Sequence, residues 1–337
     1  MQLKAKSLLP ETDTVFDEFV EEFVQQCIRE EEHHKSIWSQ GTFNQPWKST
    51  SKFLFPIIPM VPRGMPDLQR RWTTMKDGPH VQQYARYLCI ETNILEQTFM
   101  LDTQSITQLI RVGYVDQDAA FADDSKLQDK YLITSILRDT HQALDMIWEV
   151  ANDTEKLTTD FLVKLHGTCL KNSCILPLKA REDGDTQELK YTNVGVTREE
   201  CRKNVVLPGP PRVQFAPLER VVDEMNRICH LARQWLKNWT RNPFATSAWL
   251  HLVFVSCHPF EDGNGRVARL LASIPLIKAG LPPLCIPAIA RKSYYDGINK
   301  ARGGNYELLI SCFVRALEAS ISAIEDLEND PSAMTVI

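Results

Sequence analysis

Apolar residues recur every three or four positions over most of the chain, the spacing of one face of an α-helix. Residues 14–31 carry the pairs Val15/Phe16, Phe19/Val20, Phe23/Val24 and Cys27/Ile28, which predict an amphipathic helix. From 36 to 78 the periodicity fades around Pro46, Pro56, Pro59, Pro62 and Pro66, with Pro79 nearby. That stretch is expected to be irregular chain laid on a core, or a linker, with a boundary near residue 75. Helical spacing returns over 80–111, with a break near Asp102, and Asp116–Ser125 reads as a polar loop. Further helices are expected at Lys130–Val150, at Leu157–Leu170 behind a Thr158/Thr159 cap, and at Leu218–Lys237, Pro243–Cys257, Asn264–Ala279 and Asn305–Leu327. Between them, Leu189–Val196 alternates as a strand does, with Val205, Val206 and Val213 close by and prolines from Pro208 to Pro211. One short hairpin follows. The class is mostly α, with no internal repeat.

The helix ending Thr246-Ser-Ala-Trp-Leu-His-Leu-Val-Phe-Val-Ser-Cys257 is apolar nearly all round, so it belongs at the centre of the core. It runs into His258-Pro-Phe-Glu-Asp-Gly-Asn-Gly-Arg-Val-Ala-Arg269. Pro259 turns the chain out of helix. Phe260 is placed to plug back into the core. Gly263 and Gly265 flank Asn264 and allow positive φ angles and close backbone approach to a ligand. The next helix starts there, and its free N–H groups and dipole suit an anion such as phosphate. Arg266 and Arg269 share a face in its first turn, where cations oppose the dipole unless an anion compensates. Guanidinium forks match phosphate oxygens. Asp262, beside this nest, is a natural magnesium ligand, and His258 at its lip is a competent base when neutral. Base, metal acid, phosphate nest and arginines together make a phosphoryl-type transfer site. Pro275 lies inside the following helix and is expected to kink it. The pattern is neither a P-loop, which needs GxxxxGK, nor a dinucleotide fingerprint, which follows a strand.

Composition narrows the partners. The chain has 38 basic against 43 acidic residues and a net charge of −5, which argues against a general nucleic-acid surface but leaves room for one basic pocket. The 9 cysteines are odd in number, scattered and without a CxxC pair, so they read as reduced thiols in an intracellular, cytoplasmic setting. The triplets Asn152-Asp-Thr and Asn238-Trp-Thr point weakly the other way. The N-terminal residues lack the long apolar run of a secretory signal, and Trp249–Val255 is too short to span a bilayer, so no membrane is expected. Cys257 and His258 could pair as a thiol dyad, but adjacent residues seldom face each other.

The stretch from His258 to Arg269 resembles the Fic family signature HPFx(D/E)GNGRxxR and matches it at every specified position. The likeness extends more loosely over about 127–325. The family implies an α-helical bundle with one short β-hairpin flap, in which most members move AMP from ATP to Ser, Thr or Tyr hydroxyls of target proteins. On that likeness His258 is the general base and Asp262 the magnesium ligand. Gly263, Asn264 and Gly265 hold phosphates, Arg266 clamps them, and Arg269 reaches the γ-phosphate. ATP and Mg2+ are the implied substrate and cofactor. Tyr294 and Tyr295 resemble the aromatic pair near the adenine, and core tyrosines are the plainer alternative. Val194, Gly195, Val196 and Thr197 resemble the flap that registers the target chain. Its start departs from the family, with Tyr191-Thr192 where Tyr-Arg is common.

Thr92-Asn-Ile-Leu-Glu96 resembles the inhibitory motif (S/T)xxxE(G/N), from which Gln97 departs. The likeness implies that Glu96 pairs with Arg269 and keeps the γ-phosphate out. The expected parts are then an N-terminal extension over 1–75, a helical segment with the inhibitory motif over 76–126, a Fic core over 127–330 and a tail over 331–337. A homodimer is one way to cover the 14–31 stripe. The alternatives are removal of AMP from a modified protein with Glu96 positioning water, transfer of another phosphate-bearing group such as phosphocholine or UMP, and a nucleotide-sensing module without activity.

Overall fold

The computed structural model describes residues 43–56, 62, 64–76, 78–114, 122, 125–180, 187–207, 211–238 and 242–329. The helix expected at 14–31, most of the loop expected at 116–125 and the tail at 331–337 lie outside these residues.

Helix α1 is Met65–Lys76. It stands where irregular chain was expected, because Pro66 sits in its first turn. There a missing N–H breaks no helical bond and the fixed φ suits the helix. Its stripe of Leu68, Trp72 and Met75 is buried in the same core as the later helices, so the boundary expected near residue 75 falls inside α1. Helices α2 (His80–Leu95) and α3 (Thr103–Val112) follow. The break predicted near Asp102 is there, and the Asp102 carboxylate caps α3 by accepting from Ser105 N at 2.7 Å. Asp129 caps α4 (Lys130–Asn152) and Thr158 caps α5 (Thr159–Cys169) in the same way.

Among the described residues the β structure is two small hairpins where one was expected. Strands β1 (Ile175–Ala180) and β2 (Gln187–Tyr191) pair antiparallel, with Ile175 opposite Tyr191. The alternation at 189–196 does not continue as strand past Tyr191. Gly195 turns the chain at φ 69, and Thr197 starts α6 (Arg198–Cys201) with a capping box closed by Glu200. Strands β3 (Val206–Leu207) and β4 (Val213–Gln214) form the second pair.

Helices α7 (Val221–Asn238), α8 (Pro243–Cys257), α9 (Asn264–Lys278), α10 (Arg291–Arg302) and α11 (Glu307–Asn329) complete the bundle. Every residue of α8 is buried, as its all-apolar sequence requires, and it packs on α7, α9 and α11. Burying a side chain such as Phe254 contributes about 1.5–3 kcal/mol. Helix α9 runs through Pro275, which lies in its last turn. Residues 43–56 form a strap across the outside. Gln45 bridges Val213 of β4, Thr50 N and Ser49 Oγ donate to Glu224 of α7, and Phe55 stacks on Trp235 at 3.9 Å. Among the described residues no helix is long and apolar enough to cross a membrane.

Candidate active site

The loop from α8 to α9 is held by contacts that leave its backbone little freedom. His258 ends α8 in the left-handed region, at φ 53. Phe260 is fully buried and stacks on His166 with ring centroids 3.8 Å apart. Asn264 closes the loop from within. Its Oδ1 accepts from Phe260 N at 3.0 Å, and its Nδ2 donates to Phe260 O at 2.8 Å. Gly263, at φ 74, lies so near Leu170 that an added Cβ would come within 2.4 Å of it.

Two residues from elsewhere fasten this loop. Arg198 is fully buried and donates through Nε to His258 O at 2.6 Å and through Nη2 to Ala216 O at 2.8 Å and Cys257 O at 3.2 Å. It satisfies the carbonyls that the end of α8 leaves without helical partners. His166 Nδ1 accepts from Gly195 N at 2.9 Å, so its Nε2 donates to Asp262 O at 3.0 Å. That is the neutral imidazole, and burial pushes its pKa down to about 4.

The His258 ring stacks on Phe215 at 3.8 Å. Burial, and then the charges of Arg198 and Arg302, push its pKa down to about 3, so it is neutral at physiological pH and able to accept a proton. Asp262 Oδ1 accepts from Gly263 N, and Oδ2 accepts from Lys190 Nζ, each at 2.6 Å. Burial raises the Asp262 pKa, but Arg266 and Lys190 outweigh it and hold the carboxyl below its usual value. One ionised carboxylate fits a magnesium ion that arrives on a nucleotide, since Mg2+ takes one or two carboxylates plus phosphate oxygens. The neighbouring Glu261 is held by Asn193, which donates through N and Nδ2, and by Lys203 Nζ at 2.9 Å.

Arg269 is fully engaged. Its Nη2 meets Glu96 Oε1 at 2.7 Å, its Nε donates to Thr92 Oγ1 at 2.8 Å, and its Nη1 donates to Tyr294 OH at 3.4 Å. The Tyr294 hydroxyl is hydrogen-bonded in turn to His251 Nε2 at 2.6 Å. Burial opposes the charge on Arg269, yet Glu96 and Tyr294 hold its pKa above the usual arginine value. Glu96 also lies over Gly265, where an added Cβ would come within 2.3 Å of its Oε1.

Residues 156–276 match the Fic/DOC family. The chain carries a Fic/DOC domain.

The chain is 26% identical over 172 residues to protein adenylyltransferase fic-1 of Caenorhabditis elegans, covering 51% of this chain and 29% of that one. It is 40% identical over 82 residues to protein adenylyltransferase Fic of Nematostella vectensis, covering 24% of this chain and 19% of that one. It therefore spans less than a third of the length of these relatives. The fold is similar to that of a Fic domain containing signaling protein from Bacteroides thetaiotaomicron, with a TM-score of 0.55 and 21% identity over 78% of this chain and 98% of the other.

One cleft of about 540 Å³, walled by the matched residues, by Glu96 ahead of them and by α10 after them, gathers most of the residues singled out in the sequence. Glu96, His258, Asp262, Gly263, Asn264, Gly265, Arg269, Tyr294 and Tyr295 all line it. Thr92 reaches the site through Arg269 from beneath. Two expectations need correction in detail. Arg266 turns under α9, where its Nη1 donates to Asn93 Oδ1 at 3.2 Å and Ser173 Oγ at 3.3 Å, away from the cleft wall. The Asn264 amide closes the loop through both its oxygen and its nitrogen, a structural role that the sequence did not suggest. Tyr294 is both buried core and cleft wall, whereas Tyr295 is 39% exposed. Of the flap residues, Val194 packs against the core, Gly195 serves His166, and Thr197 caps α6, with Val196 half-buried between them. Sequence reasoning missed Lys190, Arg198, His166 and Phe215. Each is a single residue of a common type, far along the chain from the motif it serves.

Proposed function

We propose that this chain transfers AMP from ATP to a hydroxyl group on a protein target, and that Glu96 restrains the transfer. The observation that carries the reading is the Glu96 carboxylate. It lies over Gly265 at the start of α9 and is bonded to Arg269, which is where a phosphate would be held. The names of the curated relatives support the same activity.

In this mechanism the N–H groups at the start of α9 receive the phosphates. Magnesium held by Asp262 would supply charge neutralisation on the phosphate oxygens. Arg269, once free of Glu96, takes the γ-phosphate. Arg266 reaches the phosphates only by leaving Asn93 and Ser173. Neutral His258 takes the proton from the target hydroxyl as its oxygen attacks the α-phosphorus in line. The bond to pyrophosphate breaks and pyrophosphate leaves with the electron pair. Little covalent help is needed; positioning and neutralisation do most of the work.

A second reading has one observation in its favour. The Glu96 side chain is 25% exposed within the cleft that holds His258, so it can orient a water for hydrolysis of a protein-bound AMP. The phosphate nest grips phosphate and not base, so another nucleotide or a phosphocholine donor fits the same chemistry.

ATP labelled on the α-phosphate, compared with ATP labelled on the γ-phosphate, tests the reaction class on protein targets. The α-label is expected to stay on protein, the γ-label to leave, and the α-signal to vanish in His258→Ala. Transfer of the γ-label would replace this reading with phosphoryl transfer. Label persisting in His258→Ala would remove His258 from the role of base.

A further inference from the structure

A second cavity lies behind the candidate base. It measures about 190 Å³ and is walled by the strap residues Gln45 and Lys48, by Ser256 near the end of α8, and by Asn299 and Arg302 of α10. That is far more room than the roughly 10–15 Å³ that one water needs. Val213, Asn299 and Arg302 belong to its wall and to that of the main cleft.

Its charge is of one sign. Lys48 and Arg302 line it, and no Asp or Glu does among the described residues. Arg302 Nη1 donates to Gln45 Oε1 at 3.0 Å, and its guanidinium lies 6.0 Å from the ring centroid of Phe215. Its Nε is buried without an acceptor. Burial lowers its pKa to about 10, with no carboxylate working against that, and the group remains charged at neutral pH. Ser256 is 7% exposed, and its Oγ is also buried without a partner. Asn299 Oδ1 accepts from Gln45 Nε2 at 3.4 Å, which leaves the Asn299 amide nitrogen to donate. Buried charges are ordinarily paired, and an orphaned donor and an orphaned hydroxyl on residues that line one cavity call for a partner there.

We infer that this cavity is an anion site for a tetrahedral oxyanion of the phosphate type, held by Arg302, Ser256 and Asn299 with Lys48 at its edge. Such an ion supplies the missing acceptors and the missing negative charge together. Because Arg302 lies over the Phe215 ring at 6.0 Å and Phe215 stacks on His258, an occupant braces the wall that carries the candidate base. It also ties the strap to α10 through Gln45. The inference concerns a site separate from the α9 nest and does not depend on the transfer reaction.

Equilibrium dialysis of the full chain against labelled inorganic phosphate in a chloride buffer tests it. Saturable binding is expected, with sulfate competing. Removing one charged hydrogen bond should weaken binding about ten-fold or more in Arg302→Met. Arg302→Lys should keep most of the affinity, and Ser256→Ala should weaken it severalfold. Arg269→Ala, at a residue outside this cavity's wall, should leave this binding in place. If Arg302→Met does not fold, the Ser256→Ala and Arg302→Lys arms decide. Absence of saturable binding in the wild type, or binding untouched by Ser256→Ala and Arg302→Met but lost in Arg269→Ala, overturns the inference.

Discussion

Glu96 Oε1 stands 2.7 Å from Arg269 Nη2 and, at the same time, covers the Cα of Gly265 at the first turn of α9. One carboxylate thus takes both things that a phosphate would need, a guanidinium and a bare helix N-terminus. The pair is well supported. Thr92 holds the other edge of Arg269, and the Tyr294 hydroxyl links it to His251. Thr92 and Glu96 both belong to the end of α2, so a shift of that end would free Arg269 from both.

The end of α2 is a Schellman turn with glutamine at its left-handed position. Gln97 N donates to Ile94 O, Thr98 N donates to Asn93 O, and Gln97 has φ 57. Here lies the physical sense of the family's Gly or Asn after the glutamate. A non-glycine residue pays about 1–2 kcal/mol in this conformation, and glycine's extra freedom in the unfolded chain returns about 0.4–1 kcal/mol of that. Gln97→Gly should stabilise the protein by about 0.5–1 kcal/mol. A raised denaturant midpoint checks this; an unchanged or lowered midpoint means that Gln97 is not strained.

Lys190 of β2 occupies Asp262 Oδ2 at 2.6 Å, and the two side chains are 46% and 40% exposed. A divalent cation reaching Asp262 competes with that ammonium. Since an exposed pair of this kind is worth about 0.2–1 kcal/mol, Lys190→Ala should tighten Mn2+ binding by a factor of about five or less. Paramagnetic resonance of Mn2+ with and without nucleotide measures it. Weaker binding in Lys190→Ala would show that the lysine helps to hold the nucleotide instead.

Acid stability follows from the buried histidines. Burial, with Arg269 and Arg302 adding to it, lowers the His251 pKa to about 3, and burial lowers that of His166 to about 4. In the unfolded chain both titrate near 6.5. Below that pH the unfolded state binds protons that the folded state refuses, so stability falls as pH falls. For His166 the loss runs from about 6.5 to about 4, and for His251 it continues to about 3. Each group contributes a slope of up to about 1.4 kcal/mol per pH unit. Urea midpoints measured down this range should drop steadily, and less steeply in His251→Gln. A flat profile contradicts the neutral, buried state of these rings.

Much of the site was legible because its chemistry is contiguous. His258 to Arg269 carries the candidate base, the acid, the glycines and the arginines on one loop and one helical turn, and the apolar run before it marks its supporting helix as central. Thr92 and Glu96 stood out only through their resemblance to the family's inhibitory motif, since the four-residue step by itself is common. What stayed hidden depends on long-range closure. Pro66 looked like a breaker, although the first turn of a helix tolerates it. The partner of β2 lies upstream at Ile175–Ala180, which alternation within 189–196 does not reveal. Helix α10 has few apolar positions, with Tyr294, Ile298 and Ala301 buried among charges. Arg198 fastens the end of α8 across 60 residues of sequence. A lone arginine beside a flap carries no local signal of that role.

The restraint by Glu96 is tested most directly by labelling with α-labelled ATP in a lysate of the source cell, with Glu96→Gly beside the wild type and Glu96→Gly/His258→Ala as control. Removing a charge-assisted bond to Arg269 and clearing the start of α9 should raise AMP incorporation about ten-fold or more, with the double variant at background. Incorporation by Glu96→Gly no higher than wild type, under conditions where ATP binding is measured directly, would contradict the restraint.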